Sequence, residues 1–325
     1  MRFFRLSLLV ILLAVVAVGV WSWKSDWLSR LMLSHSVGFA YRAVSLAVLE
    51  KLPKDASLDE RLVAIRDYVC LTVQPTGRVG DFGPTRVLIN GQGWCDQVSD
   101  IYIRLIEPLN VRGYLMALLQ PDNLSPHSLV YLTPDSPGWG DLAGAQKNLD
   151  KIQAVAMVVD PQNGLTFRKK DGSVAHPPDI CKKDFADNPI RAKAFLFCRN
   201  PDILMINQPS RDQGAIKRFF YAEVLPLLPK SLHKSYLRLA YALGQKKREP
   251  GEREYLSARI DHVFFDLEQA RAGYEKVIKD FPKSHWANLA RHYILRSRQL
   301  EKRFPPGGGK GPMPPHPPWI IRKKS

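Results

Sequence analysis

Cys95 stands where a glycine-containing loop enters a predicted helix, and that position can activate a thiol. Gly91 and Gly93 permit the backbone to turn into the helix. Behind the cysteine, apolar residues recur at three- and four-residue steps and predict one buried helix face: Val98, Ile101, Tyr102, Leu105, Ile106 and Leu109. At a helix N-terminus, unpaired N–H groups and the positive end of the helix dipole favour a thiolate and can receive an oxyanion. The alternative interpretation is a small buried hydrophobic residue at a helix start.

A histidine and an aspartate follow at positions where secondary structure can hold them rigidly. His127 opens the strand predicted over 127–132, and Asp160 closes the strand predicted over 154–159. Another strand is predicted over 113–119, between the cysteine helix and the histidine. Taken singly, the histidine is typical of a hydrogen-bonded structural residue and the aspartate of a turn-capping residue. Together they give a cysteine-headed helix followed by strands that carry a histidine at one start and an aspartate at one end.

This order resembles the transglutaminase-like core, a relative of the papain-type cysteine proteases. The segment Gly91-Gln92-Gly93-Trp94-Cys95-Asp96 is similar to that family's glycine-x-cysteine entry into the helix. Residues 109–114 resemble its short turn into the first core strand, and Val159-Asp160-Pro161 resembles its Asp-Pro end. The resemblance covers residues 57–168 and implies an α+β fold, in which the cysteine-headed helix packs on an antiparallel sheet.

The resemblance also implies a catalytic triad, with Cys95 as nucleophile, His127 as general base and acid, and Asp160 as the carboxylate that orients the imidazole. In such a triad a thiolate attacks an amide carbon, the imidazole carries a proton to the departing nitrogen, and the carboxylate stabilises the imidazolium. Asp141, at the end of the glycine-rich stretch 138–141, is an alternative third member. Asp160 is preferred because a carboxylate at a strand end is held more rigidly than one in a loop.

The second donor to an oxyanion is left open among three residues that precede the nucleophile. The backbone N–H of Cys95 is the first donor. Gln92, Asn90 and the indole of Trp94 are each within a few residues of it in the sequence and can each supply the second hydrogen bond.

Three features depart from the family pattern. Leu129 stands two residues after the histidine, where the family commonly has an aromatic residue. Tyr114 replaces an arginine that is frequent just before the first core strand, unless Arg112 takes its place. The stretch 133–153 is also long, and we interpret it as an inserted loop.

The domain organisation follows from shifts in composition and periodicity. A repeat-like helical pair near the C-terminus resembles a tetratricopeptide unit through Ala270, Tyr274, Phe281, Pro282, Ala287 and Ala290; a short helical hairpin docked on the core is the alternative. We expect a membrane anchor over 1–25, a helical linker over 26–56, the transglutaminase-like core over 57–168, a loop-rich extension over 169–215, the helical region over 216–304 and a disordered basic Pro/Gly tail over 305–325.

The N-terminus predicts a single-pass membrane anchor. Residues 6–23 form an uninterrupted apolar run, and a transmembrane helix needs roughly 20 such residues. Arg2 and Arg5 precede the run and outweigh Lys24 beside Asp26, which predicts a body outside the cytoplasm, in a bacterial periplasm or on the cell surface. A cleaved signal peptide is the alternative.

The net charge of +16 is concentrated in the C-terminal third, away from the cysteine helix. We expect contact of the basic C-terminus with an anionic envelope polymer or lipid, and no nucleic-acid partner. The sequence has no phosphate-binding glycine loop and no Cys-x-x-Cys or His-x-x-x-His pairing, so we expect neither a cofactor nor a metal. Cys70 is predicted to be a buried core thiol, and a disulfide between Cys181 and Cys198 stays open.

These observations predict a membrane-anchored, extracytoplasmic thiol enzyme that cleaves or transfers peptide or side-chain amides through a thioester. The polar, glycine-rich stretch 133–153 shows no sign of an apolar lid, so hydrolysis of a protein or peptide substrate in the cell envelope is favoured over transfer. The alternative is a catalytically silent transglutaminase-like scaffold whose helical region binds an envelope partner.

The predicted anchor has a direct test in membranes from cells that produce the whole chain. We expect the protein to resist high-salt extraction and to dissolve in detergent, because the apolar run 6–23 remains in the bilayer. A reporter fused after Ser325 is expected to be active outside the cytoplasm. Release by salt would show that the anchor is cleaved, and a reporter active only inside the cell would reverse the topology.

Overall fold

The structure is a computed structural model that describes Gly19 and residues 27–76, 84–118, 127–133, 141–181, 201–243 and 249–305. The predicted anchor (6–23), the tail beyond residue 305 and Cys198 lie outside the described residues, apart from Gly19. Within those described ranges, no helix combines the length and the apolar character needed to span a bilayer.

Helices form most of the described chain, and a sheet lies in its middle. The helices are α1 (Trp27–Leu49), α2 (Leu58–Thr72), α3 (Pro84–Asn90), α4 (Cys95–Leu105), α5 (Leu142–Lys147), α6 (Leu149–Val155), α7 (Pro177–Cys181), α8 (Ala215–Phe219), α9 (Lys230–Leu243), α10 (Glu252–Val263), α11 (Leu267–Asp280) and α12 (His285–Arg303). The strands are β1 (Gln74–Pro75), β2 (Gln92–Gly93), β3 (Arg112–Leu118), β4 (His127–Thr133), β5 (Met157–Asp160), β6 (Leu165–Thr166) and β7 (Pro201–Ile206).

The main sheet has five strands in the order β6-β5-β4-β3-β7, and all of its neighbouring strands are antiparallel. Val130 of β4 lies opposite Val159 of β5, so the start of β4 and the end of β5 meet at one end of the sheet. This pairing places His127 and Asp160 at the same end. The α+β class is therefore confirmed.

Both faces of the sheet are buried, which explains why its central strands read as apolar runs. Val130 and Leu132 belong to a large core that includes helix α4, whereas Leu129 and Tyr131 face a smaller core that includes residues of α5 and α6. The period of two along a strand sends alternate side chains to these two cores. Helix α4 packs on β3 and β4 and so carries Cys95 to the sheet.

Helix α2 begins with a capping box formed by Ser57 and Glu60. The Glu60 backbone N–H donates to the Ser57 hydroxyl oxygen at 3.2 Å, and the Ser57 N–H donates to the Glu60 carboxylate at 2.8 Å. This reciprocal capping satisfies two N–H groups that the helix cannot satisfy itself. The helix continues to Thr72.

The interpretation of 133–153 as a loop is wrong for the described part of that stretch. Helix α5 begins after Asp141, whose side chain accepts the backbone N–H of Gly144, and α6 follows directly. Residues 154–155 complete α6, so the third predicted strand begins only at Met157. A short apolar run does not distinguish a helix end from a strand start, and here the neighbouring helix decides.

The C-terminal helices dock on the core rather than standing apart from it. The predicted core positions Ala270, Tyr274, Ala287 and Ala290 are each 0% exposed and share one hydrophobic core with residues of α1 to α4. This arrangement agrees with the helical hairpin docked on the core. The resemblance to a tetratricopeptide unit stays a prediction.

A buried ion pair ties the last helix to α2. The Arg303 Nε donates to Asp67 Oδ2 at 2.8 Å, and the Arg66 Nε donates to Asp67 Oδ1 at 2.9 Å. The Asp67 side chain is fully buried, and that of Arg303 is 8% exposed. Removing one partner of such a pair leaves an uncompensated charge inside the protein.

We therefore expect Asp67→Asn to lower the free energy of unfolding by about 3–5 kcal/mol, because the Arg303 guanidinium keeps its charge and loses its carboxylate. Asp59→Asn is the matched control, since Asp59 pairs with Arg168 while 51% of its side chain is exposed. That exposed pair contributes at most about 1 kcal/mol. Urea unfolding of the whole chain in detergent measures both, and equal losses would contradict the assignment.

Candidate active site

Cys95 is the first residue of α4, as the sequence predicts. Trp94 precedes it in an extended conformation, and its backbone N–H donates to Gln97 Oε1 at 2.9 Å. The first N–H groups of a helix have no partner within the helix. The half-buried thiol therefore lies at the positive end of α4, next to donors that can hold an oxyanion.

His127 and Asp160 meet at the end of the sheet. The Nε2 atom of His127 lies 2.8 Å from Oδ2 of Asp160, and the two side chains are only 12% and 6% exposed. The imidazole also hydrogen-bonds the Cys95 thiol. Since Nε2 faces the carboxylate, Nδ1 is the ring nitrogen that can serve the sulfur. The structure thus brings the three predicted residues together in the order thiol, imidazole, carboxylate.

Asn163 fixes the carboxylate and was not singled out from the sequence. Its side-chain Nδ2 donates to Asp160 Oδ2 at 2.7 Å, and its backbone N–H donates to Asp160 Oδ1 at 3.1 Å. The signal was present in the turn sequence Asp-Pro-Gln-Asn-Gly, because an aspartate commonly accepts backbone N–H groups of the turn it opens. The carboxylate that orients His127 is thus itself held in place.

The charges of the three side chains support one another. Burial disfavours a thiolate, but the hydrogen bond and charge of His127, together with hydrogen bonds to Ser128, lower the pKa of Cys95. Burial also disfavours an imidazolium, yet the charge and hydrogen bond of Asp160 and the contact with Cys95 raise the pKa of His127 to about 10. Against burial, His127 and Asn163 lower the pKa of Asp160. These directions are those of a thiolate–imidazolium pair beside an ionised carboxylate.

Cys70 provides the contrast within the same chain. It is 1% exposed, and its Sγ lies 3.5 Å from the backbone oxygen of Gln162, which accepts from the thiol. Burial raises the pKa of the Cys70 thiol to about 12. The prediction that Cys70 is a buried core thiol is confirmed, and only Cys95 has surroundings that favour a thiolate among the cysteines whose side chains the structure describes.

The three candidates for the second oxyanion donor lie at different points of the segment before Cys95. Gln92 is in β2 and pairs with Gln74 of β1, whereas Trp94 adjoins the nucleophile and is 46% exposed. Asn90 ends α3, where its carbonyl oxygen accepts the Tyr255 hydroxyl at 2.8 Å. All three lie on the segment that leads into Cys95, and the choice among them stays open.

Asp141, the alternative third member, caps a helix in the structure. Its side chain accepts the Gly144 backbone N–H as the N-cap of α5, and it is exposed, whereas Asp160 holds the imidazole. The preference for the carboxylate at the strand end agrees with this geometry. Asp141 is occupied by helix capping, which its sequence position before a helical segment permits.

Leu129, which departs from the transglutaminase-like pattern, and Arg112, which could take the place of that pattern's arginine, both have structural roles. Leu129 is buried in the smaller core. Arg112 donates to the Asn207 backbone oxygen at 2.9 Å and pairs with Asp212, so its guanidinium joins β3 to the segment after β7.

In the parts of the chain that the structure describes, no group of three or more His, Cys, Asp or Glu side chains is arranged to hold a metal ion. Compared with known proteins, the chain matches no family model, no curated protein and no solved structure. A thiol next to a buried imidazole, which a carboxylate orients, is suited to nucleophilic attack on an acyl group.

Proposed function

We propose that the protein is a thiol enzyme that cleaves amide bonds of peptides or protein side chains through a thioester on Cys95. One observation carries this proposal: the His127 imidazole contacts the thiol and lies 2.8 Å from the buried Asp160 carboxylate. A histidine held between a carboxylate and a thiol at a helix N-terminus has the arrangement of a proton carrier.

In the first half of the reaction, the Cys95 sulfur attacks the amide carbon and the carbonyl oxygen becomes an oxyanion. The Cys95 N–H at the start of α4 is one donor to that oxyanion. The carbon–nitrogen bond then breaks, and the nitrogen takes the proton from the His127 imidazolium. A free amine leaves, a thioester remains on Cys95, and the imidazole is neutral, with Asp160 keeping its orientation.

In the second half, the neutral imidazole takes a proton from water while the water oxygen attacks the thioester carbon. The carbon–sulfur bond breaks, which releases a carboxylic acid and restores the thiolate–imidazolium pair. A primary amine in place of water would give a new amide instead. The partly exposed Cys95 and the exposed Trp94 leave water access to the thioester, which favours hydrolysis.

We further propose that this chemistry belongs to a transglutaminase-like core held at a membrane by residues 6–23, with the body in the periplasm or on the surface of a bacterial cell. The order of Cys95, His127 and Asp160 along helix and strands supports the resemblance. The substrate is then a protein or peptide of the cell envelope. The basic C-terminal third favours contact with anionic polymers or lipids there.

A turnover assay tests this function. The whole chain in detergent is incubated with a glutamine-rich protein and a labelled primary amine, and new amino termini, ammonia and incorporated label are measured together. We expect new termini or ammonia without label. Cys95→Ser is expected to abolish the products, and His127→Ala to slow their release by about 10²–10⁴-fold, because proton transfer is lost.

Asp141→Asn is the matched control for the triad, because Asp141 caps α5 and does not hold the imidazole. It is expected to leave turnover unchanged, whereas Asp160→Asn lowers it strongly. Label incorporated without termini or ammonia would show transfer rather than hydrolysis. Turnover that persists in Cys95→Ser, or no turnover across varied envelope proteins and peptides, would contradict the proposed enzyme and favour the silent scaffold.

A further inference from the structure

A buried arginine of the C-terminal region grips the chain just ahead of the nucleophile. Arg259 of α10 is 0% exposed, and its Nε donates to the Ile89 carbonyl at 3.1 Å. Its Nη2 donates to the carbonyls of Leu88 at 2.9 Å and Thr72 at 2.8 Å. The first two acceptors belong to the last turn of α3, and the third ends α2. One guanidinium therefore fixes the ends of two helices.

Two tyrosines continue the same pattern along the backbone. The Tyr255 hydroxyl donates to the Asn90 carbonyl at 2.8 Å, and the Tyr293 hydroxyl donates to the Gly91 carbonyl. Together with Arg259, they satisfy the carbonyls of four consecutive residues, 88–91. We call Arg259, Tyr255 and Tyr293 the carbonyl clamp.

The clamp completes a helix end that cannot complete itself. The last four carbonyls of an α-helix have no partner within the helix, and a cation is favoured beside them by the helix dipole. Burying an arginine is costly, and an apolar side chain would be enough for packing alone. The guanidinium also stacks on the Tyr293 ring, with its Cζ 4.0 Å from the ring centroid. Because burying this charge is costly, its hydrogen bonds indicate that the arginine serves to fix the positions of the backbone carbonyls.

Gly91 is the point where the clamp meets the loop. Its φ of +80° lies in the left-handed region, and a Cβ there would lie 2.5 Å from the Tyr293 hydroxyl oxygen and 2.9 Å from Arg259 Cζ. Only glycine allows both the conformation and this approach. Glycine is therefore required at position 91 for two reasons: the turn predicted from the sequence and the close contact with the C-terminal helices.

Hydrogen bonds from the chain at β1 hold the segment between Gly91 and Cys95. The Gln74 N–H donates to the Gly91 carbonyl at 2.6 Å, and the Thr76 N–H donates to the Gly93 carbonyl at 3.1 Å. The segment between them is therefore held in β2, and Trp94 and Cys95 follow at once. A displacement of the Gly91 carbonyl is expected to reach the start of α4.

We propose that the carbonyl clamp is a set of positioning residues for Cys95, through which the C-terminal helices hold the thiol against His127. This inference rests on the proposed function, since it concerns the same thiol. The clamp residues touch backbone carbonyls and not the reacting atoms, so their effect is on the placement of the thiol and thereby on its pKa. The C-terminal helical region is then part of the active-site architecture.

The test compares two tyrosine-to-phenylalanine substitutions in the whole chain in detergent. Tyr293→Phe removes one of the two donors to the Gly91 carbonyl, leaves the Gln74 N–H as the other, and keeps the ring over Arg259. Tyr68→Phe is the matched control: Tyr68 is equally buried, and its hydroxyl donates to the Val263 carbonyl at 2.9 Å, away from the loop. Rates of iodoacetamide labelling at Cys95 are measured against pH by peptide mass spectrometry.

We expect wild-type labelling to depend on His127 and to extend below the pH range of a free thiol. Tyr293→Phe is expected to move the midpoint of the labelling profile up by about one pH unit. At pH values below that midpoint, labelling is expected to be about tenfold slower, because a smaller fraction of the thiol is ionised. Tyr68→Phe is expected to stay within about twofold of wild type. Amide hydrogen exchange over 91–98 is expected to rise only in Tyr293→Phe.

The outcomes separate the two proposals. A wild-type profile at the free-cysteine value and indifferent to His127→Ala would overturn both the thiol enzyme and the clamp. An activated wild-type thiol that Tyr293→Phe leaves unchanged would overturn the clamp alone. If Tyr293→Phe does not fold, Tyr255→Phe, which frees the Asn90 carbonyl, takes its place with the same expected result.

Discussion

The constraint on which this structure depends is the need to satisfy backbone groups at a helix end inside the protein. Helix α3 ends at Asn90, and Leu88 and Ile89 of its last turn are 0% exposed, so their carbonyls need partners inside the protein. Arg259 serves these two, Tyr255 serves the carbonyl of Asn90, and Tyr293 serves the carbonyl of Gly91, the residue after the helix. The C-terminal helices, which share a hydrophobic core with α1 to α4, thereby also hold the loop before Cys95 in place.

The site itself depends on a second constraint, which is the antiparallel pairing of β4 and β5. That pairing brings the first residue of one strand and the last residue of the next to the same end of the sheet. His127 and Asp160 are therefore neighbours because of strand order, and α4 carries Cys95 to them. Burial alone would discharge each group, but each charge is stabilised by the next one in the row.

The sequence was most informative where the signal is local. The cysteine helix and the strand positions of His127 and Asp160 each follow from periodicity or from residues a few positions apart. The helices within 141–155 were missed because short apolar runs fit either structure. The carbonyl clamp was missed for a deeper reason. The hydroxyls of Tyr255 and Tyr293 lie 165 and 202 residues from their acceptors in the sequence. The acceptors are backbone carbonyls, so no pattern of side chains predicts these bonds.

The most direct test of the account is the protonation state of His127. Imidazole ¹⁵N shifts are recorded against pH for the full-length chain in micelles, with the His127 signal assigned by its loss in His127→Gln. If Cys95 and His127 form an ion pair, His127 remains an imidazolium through neutral pH and loses its proton near the pKa of about 10 that its surroundings give it. In Cys95→Ala that loss is expected at lower pH, because the thiolate is gone. A neutral His127 at pH 7 in the wild type, or identical titration in both chains, would contradict the account.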